Sequence, residues 1–122
     1  MSDTMKTWGL RGIKAFLTLA FLAAGGAKLA GAEMMVATYD AIGVGQWFRY
    51  LTGAIEVGAG LALWLRGYQG WAAAVLGATM VGATLAHWLI LGPSAVPAIV
   101  LGLLSAVVLW AYHKQLPVPR AI

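Results

Sequence analysis

Lys28, Glu56 and His87 each sit inside an otherwise apolar stretch of this 122-residue chain. An ionisable side chain in such a place is costly unless it faces a protein interior or a wet cavity and finds a partner. An ammonium or imidazole beside a carboxylate can donate a hydrogen bond to a carbonyl oxygen, relay a proton, or act as an acid–base pair. Arg49, Thr52 and Glu56 share one helical stripe, with Arg49 two turns above the carboxylate and placed to close a site there. Thr84 flanks His87 in the same way, and Tyr39 and Trp88 are the aromatic candidates for a roof and a wall. The expected catalytic set is therefore Glu56, His87 and Lys28, and the expected substrate-binding set is Arg49, Thr52, Thr84, Tyr39 and Trp88.

Other chemistries lack their residues. With no cysteine, disulfides, thiolate metal sites and iron–sulfur clusters are excluded. One His and one Glu fall short of the three or four ligands that zinc needs, so no metal is expected. No phosphate loop, dinucleotide fingerprint or serine-nucleophile arrangement is present. Eight Lys and Arg residues against four Asp and Glu give a net charge of +4, but they form no dense run, so no nucleic-acid ligand is expected.

The elements that must position these residues are helices in a membrane. The composition is 61% hydrophobic and 10% charged, whereas soluble domains run nearer 45–50% and about 25%. Four apolar stretches approach the roughly 20 residues needed to cross a bilayer: Ile13–Ala32, Trp47–Leu65, Trp71–Leu91 and Pro97–Tyr112. Lys14 and Lys28 lie near the ends of the first, where long side chains can snorkel to the interface. Ala15–Ala27 followed by Ala30-Gly31-Ala32 has the outline of a cleavable leader, but Lys28 interrupts it, and the segment is read as a helix of the mature protein.

Six basic residues flank one side of the spans (Lys6, Arg11, Lys14, Arg66, Lys114 and Arg120) and two the other (Lys28 and Arg49). This asymmetry places both termini in the cytoplasm, for a multi-pass protein of the cell (inner) membrane. Short connections at Arg66–Gly70 and Gly92–Val96 make successive helices antiparallel neighbours. Between the first two spans, Met35, Tyr39 and Ile42 recur at helical spacing while Glu33 and Asp40 share the opposite face. That is the pattern of a short interfacial helix over residues 33–42, stopped by Gly43 and Gly45.

The expected fold is thus all-α: one domain, an up-and-down bundle of four transmembrane helices with an interfacial helix between the first and second. Counted from the outer helix ends at 1.5 Å per residue, Lys28 and His87 lie roughly 6 Å deep and Glu56 roughly 13 Å. Side chains lean toward their helix N-terminus, so the three converge. Leu17 and Phe21 beneath Lys28 give the expected pocket an apolar floor. Small residues, namely Gly53, Ala59 and Gly60, then Ala74, Ala78, Gly82 and Ala86, then Gly102 and Ala106, are read as helix-packing stripes. Such faces also allow a homodimer. Structural readings stand beside the functional ones: a Lys28–Glu56 pair fixing helix register, Lys28 snorkelling into headgroups without touching Glu56, or a core imidazole at His87 bonded to Thr84 or to a backbone carbonyl.

Three stretches together resemble the DoxX-like family of small four-helix membrane proteins: Gly25-Gly26-Ala27-Lys28-Leu29, Leu51-Thr52-Gly53-Ala54-Ile55-Glu56-Val57-Gly58-Ala59-Gly60, and Gly82-Ala83-Thr84-Leu85-Ala86-His87. The resemblance covers about Arg11 to His113. It implies likeness to the membrane subunit of thiosulfate:quinone oxidoreductase and to proteins of quinone and oxidative-stress systems, and also to assembly chaperones of membrane receptors. The absence of cysteine departs from thiol-active four-helix quinone proteins and removes disulfide-linked reduction from this chain alone.

The leading expectation is a quinone-linked redox membrane component. It binds a quinone or similar lipophilic carbonyl compound, with Lys28 or His87 on the oxygen and Glu56 tuning the pair or relaying a proton. It carries no intrinsic cofactor and needs a partner subunit or soluble electron donor. Two alternatives stay open: a non-catalytic assembly or scaffold protein, and an isomerase or hydrolase using Glu56 and His87.

Overall fold

The computed structural model describes residues 3–92 and 94–120, and every described element is helical. Helix α1 runs Asp3–Ala30, α2 Glu33–Ile42, α3 Gln46–Ala62, α4 Gln69–Ala86 and α5 Val96–Ala111. A π-helical segment, His87–Leu91, prolongs α4, and a 3-10 turn, His113–Gln115, follows α5. Two helices are long and apolar enough to cross a membrane: α1, and α4 with its π extension. Helix α5 is apolar but shorter.

Helix α1 begins well before the apolar stretch at Ile13, because nothing from Asp3 to Gly12 breaks a helix and Leu10 already packs on the core. Helix α2 ends where Gly43 turns left-handed at φ 83°, its N–H donating to the Tyr39 carbonyl; a glycine takes that conformation without a Cβ clash. At α5 a proline occupies the first turn, where its missing N–H costs nothing. The stretch from Leu63 to Tyr68 is a series of turns, so the helix of the second apolar stretch ends at Ala62.

The four long helices close into a ring in which α1 packs on α3, α3 on α4, α4 on α5 and α5 on α1. Named contacts show the neighbours running antiparallel. Thr18 Oγ1 donates to the Gly60 carbonyl at one level of α1 and α3, and Gly25 meets Gly53 further along. Between α4 and α5, Gly70 lies against Tyr112 and Gly102 against Met80. Helix α2 caps one end, packed on α3, α1 and the π segment.

The two ends of the bundle differ. Leu17, Phe21, Leu63, Leu76 and Val108 are fully buried and fill the half in which α1 begins and α5 ends. That half is also pinned by polar groups: Gly70 N–H donates to Gln115 Oε1 at 2.7 Å, and Gln115 Nε2 donates to Gln69 Oε1 at 2.7 Å. Toward α2 the apolar filling stops and a cavity opens.

Candidate functional site

Everything at this site follows from one close crossing. Helices α1 and α3 meet through Gly25 and Gly53, each so near the other's backbone that a Cβ on Gly25 would stand 2.8 Å from the Gly53 carbonyl oxygen. Glycine is needed here because only a bare Cα lets two backbones come so close. The crossing carries Lys28, one turn beyond Gly25, onto Glu56, one turn beyond Gly53. The Lys28 ammonium stands 2.7 Å from Glu56 Oε1, with side-chain exposures of 13% and 2%. At that distance the ammonium is the charge partner of this buried carboxylate oxygen, and no other donor reaches it. It is the one ion pair among the described residues.

Lys28 and Glu56 share the wall of a cavity of about 440 Å³ with Tyr39, Phe48, Thr52 and Met80. Its far side is built from Ala78, Gly82, Ala83 and Ala86 of α4. The sequence suggested that the Ala78–Gly82–Ala86 stripe packs a neighbouring helix. The structure corrects this, since a Cβ on Gly82 would meet nothing within 4 Å. The small side chains leave space opposite Glu56, and that space is the cavity. Leu17 and Phe21, expected as its floor, are fully buried in the core but do not line the cavity.

Helix α2 forms the roof. The Tyr39 hydroxyl and Thr52 Oγ1 lie 2.5 Å apart, and Tyr39 packs on Phe48 with ring centroids at 5.8 Å. Arg49 is buried and donates to the Lys28 backbone carbonyl and, through Nε, to Gln46 Oε1 at 2.7 Å. Gln46 in turn donates to Asp40 Oδ1 at 2.8 Å and to the Val36 carbonyl at 3.0 Å. Arg49 therefore ties α1, α2 and α3 together above the pair, without itself lining the cavity.

The other predicted residues go elsewhere. His87 begins the π segment and does not line the cavity; its Nδ1 is buried with no hydrogen-bond partner. Thr84 does not reach it, because its hydroxyl donates back to the Met80 carbonyl at 2.8 Å. Thr84 and Trp88 line a separate apolar groove between α4 and α5. The structure thus brings Lys28, Glu56, Tyr39 and Thr52 to one cavity, sets Arg49 over it, and leaves Thr84, His87 and Trp88 outside. Sequence reasoning missed Gln46, whose signal was a polar residue opening α3 within reach of Asp40. It also missed Lys14. Expected to snorkel, this lysine is buried, with Nζ 3.1 Å from the Tyr112 hydroxyl and 4.6 Å from the Trp64 ring centroid.

Among the described residues no three His, Asp or Glu side chains gather. What the cavity can do is hold a small, largely apolar molecule with one hydrogen-bonding end at Lys28 and Glu56, in the size range of ordinary ligand pockets. Compared with known proteins, the chain matches the model of the DoxX-like family over residues 13–111. The curated proteins and the solved structures gave no match. The chain belongs to the DoxX-like family, and this membership with the two long apolar helices points to a membrane protein.

Proposed function

We propose, taking membership of the DoxX-like family as the premise, that this chain is the membrane component of a quinone-linked redox system. In this reading a quinone or similar lipophilic carbonyl compound binds between the helices. The observation that carries it is the cavity: largely apolar walls with the buried Lys28–Glu56 pair among them. The Lys28 ammonium donates to the carbonyl oxygen of the ligand, while Phe48, Ile55 and Met80 face its ring. Lys28 takes this place rather than His87, because Lys28 lines the cavity and His87 does not. Glu56 holds the ammonium at the wall and relays, one after the other, the two protons that the quinone takes up with its two electrons to become quinol. The two electrons come from a partner subunit or a soluble donor, since the chain has no cysteine and no metal-ligand set gathers among the described residues.

In the same reading α1, α3, α4 with the π segment, and α5 are four membrane spans, α2 lies on the outer surface, and both termini are cytoplasmic at the inner membrane. The six-to-two distribution of basic residues supports that orientation. A second reading, a non-catalytic assembly or scaffold protein, is favoured by one observation. Arg49 ties the Lys28 carbonyl to α2 and α3, so the polar residues also hold the helix crossing. The isomerase or hydrolase alternative gains no support, because it needs Glu56 and His87 at one substrate.

Native mass spectrometry of protein extracted in mild detergent, with lipid analysis of wild type and Glu56→Gln, tests the proposal. A quinone-sized ligand retained by wild type and lost from the variant is the expected result. Ordinary phospholipid on both forms, with a second protein travelling alongside, would decide for the scaffold. The same spectra show whether the chain travels as a homodimer.

A further inference from the structure

At the opposite end of the bundle, far from the cavity, a groove of about 700 Å³ runs between the first half of α1 and the end of α5. Arg11, Lys14, His113 and Lys114 line it, with Trp110 and Tyr112 between them, and no carboxylate enters its wall. We propose that this groove binds a phosphate-bearing anion, either the headgroup of an anionic phospholipid or a free phosphate compound.

Lys14 is the key residue. It is only 6% exposed, and its ammonium has no carboxylate partner among the described residues. Its neighbours are the Tyr112 hydroxyl and the faces of Trp64 and Tyr112, with ring centroids at 4.6 and 5.3 Å. Aromatic faces and a phenol partly offset a buried cation but leave its charge uncancelled. The remaining cations are free to add to it. Arg11 and Lys114 are exposed, Arg11 stacking over Trp8 at 5.1 Å. Arg120 Nε donates to the Lys114 carbonyl, which brings a further positive charge to the same end.

The aromatic residues around the groove match a lipid interface. Trp8 and Trp110 are 64% and 76% exposed, and tryptophans so placed belong at headgroup level. A headgroup phosphate there would lie among several cations, the arrangement that selects anionic lipids. The inference does not depend on the quinone reading, because the two sites share no residue.

The test is native mass spectrometry of the purified full chain with phosphatidylglycerol and phosphatidylcholine of identical acyl chains, and separately with inorganic phosphate. Wild type is expected to retain phosphatidylglycerol preferentially. The exposed pair Arg11→Gln and Lys114→Gln should weaken that preference by about fivefold per basic residue removed, with the helical circular dichroism unchanged. If inorganic phosphate binds and displaces phosphatidylglycerol, the groove recognises free phosphate as well; if it does not, the lipid is the ligand. Equal retention of the two lipids with no phosphate adduct, or a preference that survives the double variant, would overturn the proposal.

Discussion

Gly25→Ala should destabilise the protein relative to Gly26→Ala, its neighbour on the same helix. Both substitutions remove a glycine from the interior of α1, and both gain up to about 1 kcal/mol of helix propensity, so that contribution cancels in the comparison. Their surroundings differ. A Cβ at 25 would stand 2.8 Å from the Gly53 carbonyl oxygen, 2.8 Å from Val57 Cγ2 and 3.1 Å from Glu56 Cβ, whereas one at 26 meets nothing within 4 Å. A backbone oxygen cannot rotate aside, so α1 and α3 must part by about 0.6 Å to reach an ordinary separation of 3.4 Å. Overpacking of this kind costs about 1–3 kcal/mol. That is the expected difference between the two variants, and the same parting should loosen Lys28 from Glu56. Unfolding of each purified variant in mixed micelles, titrated with denaturing detergent and followed by circular dichroism and tryptophan emission, measures it. Equal stability of the two variants, or a more stable Gly25→Ala, would refute the crossing and with it the account of why the ion pair forms.

Lys28→Met should cost about 3–5 kcal/mol by stranding a buried carboxylate, and Lys28→Met with Glu56→Leu should regain much of that loss; additive losses in a double-mutant cycle would show that the two charges do not interact. Gln115→Ala leaves the buried Gly70 N–H without its acceptor and should lower stability by about 1–3 kcal/mol, read as a fall in Tm. Thr52→Val keeps the shape but removes the bond to Tyr39 and should cost about 1 kcal/mol. Its local sign is faster amide exchange across Glu33–Ile42, and unchanged exchange there would mean that α2 is held by other contacts.

Much of the architecture was legible because it rests on local patterns. The spacing of Met35, Tyr39 and Ile42, followed by Gly43, marks α2, and the structure places a helix at Glu33–Ile42. Long apolar runs mark the bundle helices, although α1 begins at Asp3 and α3 ends at Ala62 rather than where hydropathy changes. The site was legible in part. Lys28 and Glu56 stand out as charges among apolar residues, and the family-like stretches around them contain the glycines that bring them together. His87 stands out equally well, but the structure leaves it outside the cavity with its Nδ1 buried and unpartnered, and residue type alone does not say which side of α4 will face the cavity.

The sequence by itself determined the helical class, the DoxX-like likeness and the two charges at α1 and α3, because composition, periodicity and residue type are properties of the chain. Only the tertiary structure decided which small residues pack and which leave space. Gly25 and Gly53 close a crossing, whereas Ala78 and Gly82 open a cavity, and nothing in a glycine or an alanine says which neighbour will face it. The same holds for Lys14 and Lys28, two lysines on one helix. One meets a carboxylate and the other a tyrosine hydroxyl and two aromatic rings, because the partners come from distant parts of the chain, and their approach is set by the packing of the whole bundle.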